Sequence, residues 1–217
     1  IRQTLYRTGT GSAVVEALLE AATAGKDVMV VIELRARFDE AANIELATAL
    51  QAAGAQVVYG VVGHKTHAKM CMIIRREGRR LKRYVHLGTG NYHERTSRSY
   101  TDFGLFSSDQ ELGQDVQKIF QQIAALGKAG KLKALLQSPF TLHSGVLEQI
   151  ESERQKALQG QPALIQAKMN AVRPPHRMGI QPKAFSVCLS EMLNDAFEDM
   201  LPVFTADDLL TGTFRVG

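Results

Sequence analysis

The sequence predicts a layered α/β domain, and three features of its 217 residues carry that expectation. Helix-like and strand-like segments alternate from the N-terminus. The first strand-like run, DVMVVIEL (27–34), is apolar on both faces, as a strand covered by helices on each side must be. Glycines stand where the helical patterns should stop.

Taken in order, SAVVEALLEAATAG (12–25) has apolar residues at helical spacing and ends on glycine. The buried parallel strand follows. Asp39 is placed to cap a second helix, EAANIELATALQAAG (40–54), again closed by glycine, and AQVVYGVV (55–62) reads as the next strand. Two longer strands, AKMCMIIRR (68–76) and LKRYVHLG (81–88), flank a basic turn containing Gly78 and are expected to pair antiparallel. GTGNYHERTSRSYTDFGLFSS (88–108) has no clear periodicity, and a loop of that length in a compact domain tends to be functional. Ser108 and Glu111 have capping-box spacing for a helix over 109–127. Residues 128–138 suggest a boundary, so the domains expected are 1–135, the start of a second similar domain at 136–171, and a divergent tail at 172–217, for which disorder is one reading. In the second piece a helix over 144–160 and a strand over 162–172 restart the helix-then-strand order.

A chain of this length that is 45% hydrophobic can bury a sizeable core, and it is expected to be soluble. It has no apolar run approaching the roughly 20 residues that span a bilayer, and no secretory pattern. It starts on Ile1 without a methionine, the expectation for a piece of a longer chain. Cys71 and Cys188 match no metal spacing and read as buried thiols in a reducing compartment. The formal charge is only +4, but it is unevenly placed. Ten cations, Lys65, Lys69, Arg75, Arg76, Arg79, Arg80, Lys82, Arg83, Arg95 and Arg98, face two acids in the same stretch, Glu77 and Glu94. Such a cluster attracts polyanions, whether nucleotide, nucleic acid, phosphate polymer or anionic lipid; the plainer reading of REGRRLKR is a solvated hairpin tip.

The chemistry concentrates in VVGHKTHAKM (61–70). His67 and Lys69 form H-x-K on a segment expected to be strand, which would set both side chains on one face about 7 Å apart. A neutral imidazole can attack phosphorus while the ammonium neutralises the equatorial oxygens. Gly88-Thr89-Gly90-Asn91 follows, with glycines that permit close backbone approach and an amide that can donate to a phosphate oxygen. H-x-K alone is a weak signal and more often marks a satisfied strand histidine; followed by G-[ST]-x-N it is far more specific.

Together the two motifs resemble the half-site of the phospholipase D superfamily, in which two halves face each other and one histidine is phosphorylated. The implied fold is a phospholipase D-like layered sheet with flanking helices, plus an incomplete second half. Hydrolases of that superfamily place an Asp five residues after the Lys, where this chain has Ile74, a departure that argues against an ordinary phosphodiesterase. The chain resembles the polyphosphate kinase family more closely, through QTLYRTG, VIELRARFDEAANI, VVYGVVGHKTHAKM, RYVHLGTGNYHERTSRSYTDFGL and SPFTLHSGVLEQI, in order across residues 1–171.

That resemblance implies reversible transfer of the terminal phosphate of ATP to polyphosphate through a phosphohistidine. His67 corresponds to the phosphorylated histidine and Lys69 to its phosphate-stabilising partner. Arg7 and Arg37 match arginines at the magnesium and phosphate site; lacking a lone pair, they would grip phosphate oxygens that Mg2+ also touches. Tyr100 matches a tyrosine that contacts the nucleotide, and Asn91 joins the ATP site. His64, His86, His93 and His143 are expected to be structural or solvent-facing. The basic strip would serve as a channel for the polymer, with strong salt dependence. The resemblance further implies a homo-oligomer in a cytoplasmic setting, with peripheral membrane association left open and no sequence-specific nucleic acid. Residues 172–217 resemble nothing in the family, which leaves the activity of this chain alone open. The alternatives are a phospholipase D-like phosphodiesterase and a non-catalytic polyanion-binding module.

Overall fold

The computed structural model describes residues 1–9, 11–33, 40–60, 66–125, 130–166 and 213–215. The chain divides into two compact units, Ile1–Leu135 and Leu136–Gly217.

The first unit is built on a six-stranded mixed sheet. Its strands are β1 (Arg2–Leu5), β2 (Met29–Ile32), β3 (Gln56–Tyr59), β4 (Lys69–Glu77), β5 (Arg80–Gly88) and β6 (Gly104–Ser107), ordered β3-β2-β1-β4-β5-β6. The pairs β1–β2 and β2–β3 are parallel; β1–β4, β4–β5 and β5–β6 are antiparallel. The helices are α1 (Ala13–Thr23), α2 (Glu40–Ala52), the single turn α3 (Glu94–Ser97) and α4 (Gln110–Ala125). The apolar run in the sequence is β2, and all four of its residues are buried. Its side chains alternate between two cores, as the strand period requires. Val30 and Ile32 pack with Leu18, Ala22, Ala47 and Leu50 of α1 and α2. Met29 and Val31 pack with Val116, Ile119, Phe120 and Ile123 of α4, where Met70, Met72 and Val85 join them. Each large side chain so buried contributes about 1.5–3 kcal/mol. Lys69 and Cys71, between the methionines of β4, therefore belong to the sheet face opposite α4.

Two strands of this sheet lie outside the expected set. β1 reads RQTL, and its polar Gln3 and Thr4 are nonetheless buried. Thr4 is satisfied across the sheet: its Oγ1 donates to Ala68 O at 2.7 Å and accepts from Met70 N at 2.9 Å. β6 arises inside the long aperiodic stretch as an exposed edge strand, a position that demands no apolar pattern. At the start of α4 the cap is Asp109, one residue beyond the expected Ser108, because Asp109 Oδ1 accepts the Leu112 N–H at 2.8 Å. Cys71 is half-buried instead of fully buried. Asp39, His64, Cys188 and the end of the predicted strand 55–62 lie outside the described residues.

Gly113 of α4 is required by packing. A Cβ there would sit 2.9 Å from Arg83 Cβ and 3.2 Å from its Cδ, and Arg83 is tied to the same helix by its Nε donating to Gln117 Oε1 at 2.6 Å. Overpacking costs about 1–3 kcal/mol and alanine regains at most about 1 kcal/mol of helix propensity. Gly113→Ala is thus expected to destabilise the chain in urea melts despite being the better helix former.

In the second unit, α5 (Leu142–Leu158) precedes β7 (Leu164–Gln166), which pairs antiparallel with β8 (Thr213–Arg215). Gly145 on α5 admits the Leu136 side chain, whose Cδ atoms would overlap any Cβ there. Among the described residues, no helix is long and apolar enough to cross a membrane.

Candidate functional site

β1 and β2 run parallel and end side by side at Leu5 and Ile32; β4 begins beside them in the opposite direction. The chain leaving β1 carries Tyr6 and Arg7, and the chain entering β4 carries His67 and Lys69. Carboxyl ends of parallel strands are the usual location of ligand sites in open α/β sheets.

His67 precedes the strand, a correction to its expected place within it: the ladder with β5 opens at Lys69 opposite Gly88. The backbone is irregular there, so the two side chains do not stand side by side at strand spacing. Lys69 instead folds back, its Nζ 3.0 Å from His67 Nδ1 and 3.1 Å from Nε2, while donating to His67 O at 2.6 Å. An ammonium only donates, so the ring nitrogen it engages is one that carries a lone pair. His67 is exposed, whereas Lys69 is 6% exposed.

Tyr6 organises the cluster. Its ring meets His67 edge-on with centroids 5.1 Å apart. Arg7 Cζ lies 5.6 Å and Lys69 Nζ 5.5 Å from the Tyr6 centroid, so two cations share one aromatic face system. Tyr6 falls within the quoted stretch QTLYRTG, yet nothing in its spacing marks it, because His67 and Lys69 come from a segment distant in sequence.

Burial pushes the Lys69 ammonium down to about 8 from its ordinary 10.5, with the Asp102 carboxylate acting in the opposite direction. Asp102 is itself held by the glycine loop. Thr89 Oγ1 donates to Asp102 Oδ1 at 3.0 Å and accepts Phe103 N–H at 2.9 Å. A Cβ on Gly90 would overlap the Asp102 carboxylate, and one on Gly104 would come within 2.9 Å of His86 Nε2. The glycines thus make room for protein side chains, a role the sequence does not reveal. With Ile74 where the superfamily's hydrolases have Asp, Asp102 is the carboxylate that acts on Lys69.

A second brace fixes the entry to His67. Glu33 is buried, and its Oε2 accepts Thr66 N–H at 2.8 Å. Asn43 Nδ2 donates to Glu33 O at 3.0 Å and Tyr6 O at 3.3 Å, joining α2 to both strand ends. Glu33 and Asn43 sit in the quoted block VIELRARFDEAANI, and only the fold reveals what they hold.

The other expected residues divide. Arg7 joins the cluster through Tyr6. Asn91 is half-buried, and among the described residues its Oδ1 is buried and accepts no hydrogen bond. Tyr100 is 60% exposed on the turn after α3 and takes no part in the ring contacts around Tyr6. Arg37 lies outside the described residues. His86 is half-buried, with Nδ1 2.8 Å from Tyr92 Oη and its ring 4.4 Å from that of Phe106; burial lowers its pKa. His93 caps α3, its Nδ1 accepting Thr96 N–H at 3.2 Å. No group of three metal-ligating side chains occurs among the described residues. Among the described residues, the site's cations and the carboxylates of Asp102 and Glu33, each engaged elsewhere, do not by themselves make a magnesium site.

The arrangement suits an anion. Because Lys69 holds its proton only below about pH 8, affinity for pyrophosphate is expected to fall several-fold between about pH 7 and 9. Calorimetry on wild type and Lys69→Met checks this: the variant should bind more weakly with a flat profile, and a parallel decline in both would remove Lys69 from the effect.

Residues 1–129 match the family model described as polyphosphate kinase C-terminal domain 1. The chain is 62% identical over 175 residues to a polyphosphate kinase of Xylella fastidiosa, covering 81% of this chain and 25% of that protein. It is 57% identical over 175 residues to one of Neisseria meningitidis, covering 81% and 26%. The crystal structure of a polyphosphate kinase from Porphyromonas gingivalis superposes with a TM-score of 0.71 at 29% identity, over 91% of this chain and 31% of that one. The chain thus spans about a quarter of the length of the curated relatives it matches.

Proposed function

The chain belongs to the polyphosphate kinase family, with its phospholipase D-like layered sheet, and from that premise we propose that it carries the half of the active site bearing the nucleophile. The reaction is transfer of the terminal phosphate of ATP to polyphosphate, in either direction. A His67 ring nitrogen attacks the γ-phosphorus with its lone pair, the bond from that phosphorus to the bridging oxygen breaks, and ADP leaves with the electron pair. A terminal polyphosphate oxygen then attacks the same phosphorus, the N–P bond breaks, the lone pair returns to the imidazole, and the polymer is one phosphate longer. Lys69, with Arg7 beside it, offsets the charge on the transferred group's oxygens, and the Tyr6 ring keeps Lys69 in reach. Arg37 and Tyr100 complete the ATP site by resemblance. By resemblance, Arg7 and Arg37 would grip phosphate oxygens beside a magnesium ion, which would supply charge neutralisation there.

The observation that carries the proposal is the buried Lys69 ammonium 3.0 Å from a ring nitrogen of an exposed His67. The experiment exchanges the matched residues of the Xylella fastidiosa relative for those of this chain and supplies ATP labelled in the γ-phosphate. Acid-labile label recovered on His67 by peptide mass spectrometry is expected. Label on another residue, or cleavage of a phosphodiester such as bis(p-nitrophenyl) phosphate without any label from ATP, would overturn it in favour of the hydrolase reading.

A further inference from the structure

We propose that the far end of the β4–β5 hairpin is an anchoring site for the polyphosphate chain, separate from the catalytic cluster; this rests on the proposed polyphosphate substrate. The ten-cation strip seen in the sequence is not one surface. Register divides it: Lys69, Cys71, Ile73, Arg75 and Glu77 of β4 lie opposite Gly88, His86, Tyr84, Lys82 and Arg80 of β5 on one face, while Ile74 and Arg76 lie opposite Arg83 and Leu81 on the other. Arg83, on the second face, is consumed by Gln117 and Gly113 of α4. Arg75, Lys82 and Arg80 are exposed on the same face as Lys69. Arg75 is six residues along β4 from Lys69, about 20 Å at strand rise.

Within this patch Arg75 and Lys82 are a direct cross-strand pair of like charge, an arrangement that destabilises a sheet unless an anion lies across it. Among the described residues no carboxylate comes within ion-pair distance of Arg75, Arg80 or Lys82. Glu77, the one acid on this face, accepts the Tyr84 hydroxyl at 2.6 Å. Tyr84 also holds the Lys82 ammonium 5.2 Å from its ring centroid. The patch therefore offers three cations in register against a single carboxylate, Glu77, which lies opposite Arg80 and accepts the Tyr84 hydroxyl, a net positive strip that fits an extended, uniformly charged inorganic polymer. Holding the chain there raises the effective concentration of its end at His67.

The test measures binding of long-chain inorganic polyphosphate and of tripolyphosphate to this chain across a salt series. The triple variant Arg75→Gln, Arg80→Gln, Lys82→Gln is compared with a triple of equal charge loss outside this patch, Lys26→Gln, Lys131→Gln and, on the hairpin's opposite face, Arg76→Gln. The hairpin triple should lose about tenfold or more in long-chain affinity and lower the log–log salt slope by about three, with tripolyphosphate binding unchanged. Its melting temperature should equal or exceed wild type, since the like-charge pair is gone. Equal losses in the two triples, unchanged long-chain binding in the hairpin triple, or tighter hairpin-dependent binding of single-stranded RNA of matched charge would overturn the proposal. A His67→Ala arm separates the two readings: the hairpin effect is expected to survive there unchanged, whatever labelling shows about His67.

Discussion

Replacing His67 with alanine in the Xylella fastidiosa exchange protein is expected to reduce incorporation of acid-labile phosphate from ATP to background, and polymer synthesis by at least about a thousandfold. The magnitude follows from the role: removing a covalent nucleophile removes both chemical steps, whereas the surrounding cations retain only binding and charge stabilisation. Lys69→Met provides the graded comparison. It leaves the imidazole in place and deprives it of the ammonium 3.0 Å away, so labelling should be slowed and not abolished. Folding is checked in both variants by circular dichroism, since Lys69 is buried against His67 O. Full-strength labelling in the alanine variant would mean that phosphate is taken up elsewhere, and His67 would lose its assignment.

The largest stability effect is expected at Asp115, far from that chemistry. Its side chain is fully buried under α4, where Oδ2 accepts the backbone N–H groups of Lys133, Ala134 and Leu135 at 2.6, 2.7 and 3.3 Å. Oδ1 accepts from Lys118 Nζ at 3.1 Å, and Lys118 also donates to Lys131 O at 2.7 Å. The carboxylate thereby folds the segment after α4 back, so that Leu132 and Leu135 pack on the core shared with Phe120. Asp115→Ala strands three N–H donors and removes the Lys118 ion pair, and should cost about 3–5 kcal/mol, a fall of roughly 10 °C in Tm. Burial alone would push this carboxyl up, but the backbone donors of Ala134 and Lys133 and the Lys118 ammonium outweigh it and hold the pKa below the ordinary range. A carboxyl depressed on folding contributes stability above its unfolded pKa, near 3.9, and loses it as pH falls through the folded value. Melts between about pH 7 and 3 should therefore show a steeper acid decline in wild type than in Asp115→Asn. A variant melting within about a degree of wild type would refute the role given to Asp115.

Local signals in the sequence determined much of this molecule. The four buried residues of β2 follow from an apolar run that only a two-sided core can accept, and the β4–β5 hairpin follows from two β-rich runs about Gly78. The chemistry was legible as residue types: His67 before Lys69, then the glycine loop. Tertiary structure alone decided how those groups meet. β1 is polar in sequence and interior in the sheet because Thr4 finds partners across it and Gln3 Nε2 donates to Thr4 O, which no periodicity encodes. Lys69 turns back onto His67, and Tyr6 lies against both, because strands distant along the chain end at the same place. Hydrophobic period is a property of neighbours in sequence and is readable there; a buried charge depends on who approaches it through space, and that is set only when the sheet has formed.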